Sequence, residues 1–142
     1  MPYRYLPDVA IADVAFEAGG GTLEELFSSS VDAALGVMVE SPEAIPLVER
    51  RPMAAEDAEL DILLFKLLGE VVYYKDADRL LLRCPRPILR KESGLWRLSA
   101  ELEGAGIDSS GELLLDVKAV TLHMLRVERS TGGWKARVVL DI

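Results

Sequence analysis

An α+β two-layer sandwich, in which a largely antiparallel sheet covers its apolar face with two main helices, is the architecture that three patterns in the chain predict. A strand-like alternation lies near the start, and two stretches of helical apolar spacing follow it. From residue 80 onward the chain turns to strand-forming runs separated by turn residues.

The first element spans residues 12–18, where Ala12, Val14, Phe16 and Ala18 alternate with Asp13, Ala15 and Glu17. That period of two predicts a half-buried strand with Asp13 facing away from the core. Gly19-Gly20-Gly21 reads as a chain turn, because it lacks the spacing and the closing Lys-Ser/Thr of a phosphate loop. Thr22-x-x-Glu25 has the form of a capping box, and Leu23, Leu26, Phe27, Val31, Ala34, Leu35 and Met38 then recur at helical spacing until Ser41-Pro42. A polar stretch over 41–53 is expected to hold one short strand near Pro46–Val48. Acids at Glu56, Asp57, Glu59 and Asp61 predict the opening of a second, more apolar helix, since negative charge suits a helix N-terminus. Lys75-Asp76-Ala77-Asp78 reads as the turn that ends it. Strands are predicted in the runs 80–84, 95–102, 113–127 and 134–140, and Ser130-Thr131-Gly132-Gly133 as the turn of a closing hairpin.

With 142 residues the chain forms one domain, 1–142, long enough to bury about two-thirds of the surface its unfolded form exposes. Cys84 is the single cysteine, so no internal disulfide can form. The start Met1-Pro2-Tyr3-Arg4 lacks the basic and apolar regions of a signal peptide, and the apolar run 62–74 is too short and too charged to span a bilayer. The expectation is a cytoplasmic protein with no membrane segment. Its net charge of −8 is concentrated in residues 1–62, which hold 13 acids against 3 bases. Such a body repels a phosphate backbone and favours a basic protein partner or a cation, and charge does not choose between them.

Three oxygen donors stand out. The chain ends on Asp141-Ile142, which sets a carboxylate side chain one residue from the terminal carboxylate, and Asp13 lies inside an apolar stretch. Hard cations such as Ca²⁺, Mg²⁺ or Mn²⁺ select such acceptor-only oxygens. His123 is the only histidine, so a zinc site built on two or three histidines is excluded. As one face of a strand it alternates with Thr121, Leu125 and Val127, and it stays outside the metal set. Cys84, beside Arg79, Arg83, Arg86, Arg90 and Lys91, reads as a buried, inert thiol, and the cationic stretch as a salt-bridged strand edge. Ser28, Ser29 and Ser30 lack the glycine-flanked elbow of a hydrolase nucleophile.

Read in order, Tyr5-Leu6, Ala12-Asp13-Val14-Ala15-Phe16, the segment from Gly21 to Phe27, the segment from Lys118 to Met124, the segment from Gly133 to Val139 and the closing Leu140-Asp141-Ile142 resemble the archease family over nearly the whole chain. Where that family commonly has His-Thr-Ala-Asp, this chain has Ala10-Ile11-Ala12-Asp13, and Leu122 stands where a tyrosine usually precedes the later histidine. The resemblance implies that the strand carrying Asp13 lies beside the last strand, which brings Asp13 and Asp141 to one sheet end. It also implies a non-catalytic partner of the RtcB-type tRNA-splicing RNA ligase, which joins RNA ends using GTP and a divalent metal. In that role the protein promotes ligase guanylylation and multiple turnover, meets RNA only through the ligase, and delivers or retains a metal ion (calcium, magnesium or manganese) on Asp13, Asp141 and Ile142. Two other readings remain open at this stage: a metal-dependent hydrolase, and a metal-independent acidic docking or chaperone module.

Overall fold

The computed structural model describes residues 2–7, 13–109 and 113–142. Its elements run β1 (Tyr3–Leu6), β2 (Asp13–Gly20), α1 (Leu23–Met38), β3 (Glu49–Asp57), α2 (Leu60–Asp78), β4 (Leu80–Arg83), β5 (Ile88–Glu92), β6 (Leu95–Gly106), β7 (Ala119–Val120), β8 (Arg126–Ser130) and β9 (Gly133–Asp141). The α+β class holds, with two antiparallel sheets where one was expected. The first sheet runs β1-β2-β9, with β7 and β8 sharing the far edge of β9, and the second runs β3-β6, with β4 and β5 sharing the far edge of β6. Helix α1 packs on β2 and β9, α2 packs on β3 and β4, and the helices touch each other. Phe16, Phe27, Leu35, Leu64, Leu68, Leu82 and Val138 belong to one continuous core between these layers.

Helix α1 starts as its sequence predicts. The Thr22 hydroxyl accepts the Glu25 N–H at 3.1 Å, and the Glu25 carboxylate reaches back to the Gly21 N–H at 3.4 Å, so two otherwise orphaned donors are satisfied. The glycines do more than turn the chain, because Gly19 and Gly20 are the last residues of β2. A Cβ on Gly20 would lie 2.6 Å from the Leu26 nitrogen, so only glycine lets the first turn of α1 sit against the strand. The closing hairpin also forms: Ser130 pairs with Gly133 across a two-residue loop in which Gly132 takes φ +79°.

Four expectations are corrected. The stretch around Pro46–Val48 is not a strand; the strand is Glu49–Asp57, an edge strand that tolerates Pro52 because one of its sides has no ladder to feed. Glu56 and Asp57 close this strand and do not open a helix, since α2 begins at Leu60 and the Asp57 carboxylate accepts the Glu59 N–H at 2.9 Å. Helix α2 runs on through residues 75–78 and ends at Arg79, whose φ of 53° is the left-handed conformation of a helix C-terminus. The run 113–127 is not one strand either. Only Ala119–Val120 and Arg126 onward pair with β9, and between them the chain leaves the ladder in a turn that puts Met124 at φ 57°. His123 therefore lies in an exposed turn and not on a strand. Among the described residues no helix is long and apolar enough to cross a membrane.

Candidate metal site at a sheet end

Strands β2 and β9 pair without a bulge from Gly20↔Trp134 to Asp13↔Asp141, so the two aspartates are direct neighbours across the ladder. Val139 and Asp141 turn their carbonyls the other way, to the Thr121 N–H at 3.0 Å and the Lys118 N–H at 2.8 Å. In an antiparallel strand the N–H and C=O of one residue point to the same side. Asp13 and Asp141 consequently face each other at a non-hydrogen-bonded position, where opposed Cβ atoms approach to about 4.5–5.5 Å. Both side chains are half-buried. Neither carboxylate has an ion-pair or side-chain hydrogen-bond partner among the described residues, and Lys118, whose N–H serves Asp141, forms no ion pair with it.

Ile142 follows with the opposite pleat, and its partly buried side chain packs against the core at the same sheet end. Among the described residues no group of three His, Cys, Asp or Glu side chains is assembled to hold a metal. The structure brings together two side-chain carboxylates, Asp13 and Asp141, with Ile142 next to them at the end of β9. Oxygen-only donors facing one another without a cationic partner suit a hard divalent ion, which relieves their repulsion and takes its remaining ligands from water or a second protein. Residues Ala10, Ile11 and Ala12 of the segment leading to Asp13 lie outside the described residues.

The other sequence candidates separate from this site. Cys84 is 1% exposed, and burial, with the Asp32 negative charge behind it, pushes its thiol up to about 12, so it is inert at neutral pH. The cationic stretch is largely neutralised: Arg83 grips Asp32 through two bonds of 2.9 Å, Arg86 reaches Glu103 at 2.7 Å, Arg79 pairs with Asp108, and Lys91 lies over the Trp96 ring. Ser30 is buried and spends its hydroxyl on the Leu26 carbonyl.

One residue of consequence escaped the sequence reading. Lys75 was expected in a turn, yet it is 3% exposed on α2. The signal was present in its spacing, because Leu64, Leu68, Val71 and Lys75 continue one helical face, so a lysine there is buried with its partners or not at all.

The architecture thus defines a small two-sheet α+β protein with an unpaired acidic pair where its first-sheet strands end. The match to the Archease protein family (MTH1598/TM1083) extends over residues 3–142, and the chain belongs to the archease family. It is 32% identical to the protein archease of Methanosarcina barkeri, over 99% of this chain and 95% of that one, and 30% identical to that of Archaeoglobus fulgidus over the whole of both. Its fold is similar to the solution structure of Methanobacterium thermoautotrophicum protein 1598, with a TM-score of 0.84, 28% identity and 99% of each chain covered. A Thermotoga maritima crystal structure described as an archease and possible chaperone shares the fold at a TM-score of 0.57 and 20% identity, with 96% of each chain covered.

Proposed function

We propose that this archease-family protein is a non-catalytic activator of a GTP-dependent, RtcB-type tRNA-splicing ligase, and that it acts through a divalent cation held by Asp13, Asp141 and the Ile142 α-carboxylate. The observation that carries the reading is the Asp13↔Asp141 register, which sets two like charges face to face with no cation from the described chain between them. Like charges in that position destabilise a sheet, and a bound Ca²⁺, Mg²⁺ or Mn²⁺ reverses the sign of the interaction. Bound there, the ion supplies Lewis acidity and an oxygen-coordinated charge that a partner's own ligands can share. The chain's residues do the rest. Asp13 and Asp141 are fixed by the ladder and Ile142 by its partly buried side chain, and the two half-buried carboxylates keep part of their surface exposed to an exchanging ion.

Mixing the purified protein with the ligase, GTP and RNA ends in a defined divalent buffer tests this. Stimulated guanylylation and repeated turnover only when the ligase is present, lost in Asp13→Ala and Asp141→Ala, is the expected result. Hydrolysis by the protein alone makes it an enzyme, and stimulation that survives both substitutions makes it a docking or chaperone module. A short Gly-Ser tail after Ile142 tests the third ligand, because it replaces the α-carboxylate with a neutral peptide carbonyl. It should weaken divalent-metal binding, whereas the same tail placed before Met1 should leave it unchanged.

A further inference from the structure

Lys75 is a buried cation far in sequence from the acidic sheet end, and one peptide group joins the two. Its ammonium donates to the Val117 carbonyl at 2.7 Å and to the Asp116 carboxylate at 2.6 Å, and it also pairs with Asp76. The Val117 carbonyl and the Lys118 N–H belong to the same planar peptide unit. That N–H donates to the Asp141 carbonyl at 2.8 Å, and the Asp141 carbonyl belongs in turn to the peptide unit that carries Ile142. A chain of three groups thus runs from a charged side chain, through one rigid amide, to the main chain between two of the proposed ligands. Such chains polarise cooperatively, and the positive charge at the Val117 oxygen makes the Lys118 N–H a better donor.

The strap that contains this peptide is held at its two ends, by the Leu114 N–H on the Met38 carbonyl at 2.7 Å and by Thr121 on the Val139 carbonyl at 3.0 Å, and between them by the Lys75 contacts and the Lys118 N–H. Residues 113–116 are exposed, β7 has two residues, and Val117 is the buried anchor between them. On the β2 side Asp141 occupies a non-hydrogen-bonded position, so the strap is what fixes its main chain. Burial drives the Lys75 ammonium toward losing its proton, but Asp116 and Asp76 outweigh that and hold its pKa above the ordinary lysine value, so it is charged at neutral pH.

The geometry points to Lys75, with Asp116, as a positioning residue for the metal site: it orients the Val117–Lys118 peptide, which in turn fixes the Asp141–Ile142 peptide and the two carboxylates attached to it. This deepens the carboxylate-site reading given above and depends on it. Removing a group that orients a metal ligand from behind lowers metal affinity roughly 10- to 100-fold.

Three proteins suffice for the test: the full chain, Lys75→Met, and the milder Asp116→Asn, which alters a half-exposed carboxylate and leaves the core untouched. Mn²⁺ and Ca²⁺ affinities are measured by calorimetry below the melting range, and amide hydrogen exchange at Lys118 is followed without metal. Expected are faster Lys118 exchange and a metal affinity lower by roughly 10- to 100-fold in Lys75→Met, and a smaller loss in Asp116→Asn. If Lys75→Met does not fold, the Asp116→Asn pair of measurements decides alone. A folded variant with unchanged Lys118 exchange and unchanged affinity overturns the positioning role and leaves the carboxylate site standing. An unaltered chain that binds neither ion overturns both, and the two failures are thereby distinguished.

Discussion

Glu17 and Asp13 lie four residues apart on the same face of β2, and each has a charged residue opposite it on β9. Opposite Glu17 is Arg137, which donates to it at 3.2 Å while Arg4 on β1 donates from the other side at 3.0 Å. Opposite Asp13 is Asp141, and no described residue answers either charge. Both pairs occupy non-hydrogen-bonded positions of one ladder, so the backbone treats them alike and only the partners differ. Glu17 shows what a carboxylate does in this sheet when its role is structural. The Arg4 hydrogen bonds, with Arg137 adding to them against a smaller opposing effect of burial, hold its carboxyl below the usual glutamate range. Asp13 and Asp141 have no such cationic partner among the described residues, and that contrast in partners is what sets the two ends of the ladder apart.

The largest effect comes from removing what the two positions share. Phe16 is fully buried on the opposite face of β2 between them, and Phe16→Ala should cost about 3–5 kcal/mol in urea unfolding and weaken both ends of the ladder together. Next in size is the effect of metal itself. A divalent ion at about 100 times its dissociation constant should stabilise the protein by about 2.7 kcal/mol, and that gain should vanish in Asp141→Asn while remaining in Glu17→Gln. Thermal melts with and without the ion check this.

Glu17→Gln should instead cost up to about 1 kcal/mol, because it removes half-exposed ion pairs. Its pH dependence has a definite sign. The folded pKa lies below the unfolded one, so the stabilisation is fully present above the ordinary glutamate value and is lost as pH falls through the depressed one. Melts of the unaltered protein and Glu17→Gln should therefore differ at neutral pH and converge in acid. The smallest effect has the opposite sign. In a chelating buffer Asp13→Asn should raise stability by about 0.2–1 kcal/mol, since it removes a like-charge pair. A loss there would mean that Asp13 has a structural partner after all.

Local features of the fold were legible in the sequence where one residue type does one job. The strand within 13–18, the Thr22/Glu25 cap and the Gly132 turn formed as read, except that Ala15, expected on the outward face with Asp13 and Glu17, is buried. Strand β3 was not legible, because Glu49-Arg50-Arg51-Pro52 looks like a loop, and the acids that close it imitate the start of a helix. The split of the strands into two sheets was also hidden, since it depends on β3, β4 and β5 all choosing the twelve-residue β6, and partner choice leaves no mark on a single strand. The same limit applies to the site. The sequence offered Asp13, Asp141 and Ile142 as candidate donors, but the meeting of the two aspartates rests on the β2–β9 register, which the family resemblance implied and spacing alone could not. The burial of Lys75 is hidden in the sequence because its charged four-residue cluster reads as a turn, whereas its partner Asp116 lies 41 residues away.

Calorimetric titration of the metal-free protein with Mn²⁺ and with Ca²⁺, beside Asp13→Asn, Asp141→Asn and Glu17→Gln, tests the central claim most directly. One saturable site per chain is expected, kept in Glu17→Gln and abolished in each aspartate variant, with all four proteins folded. Binding that persists undiminished in both aspartate variants, or that disappears in Glu17→Gln, would contradict it.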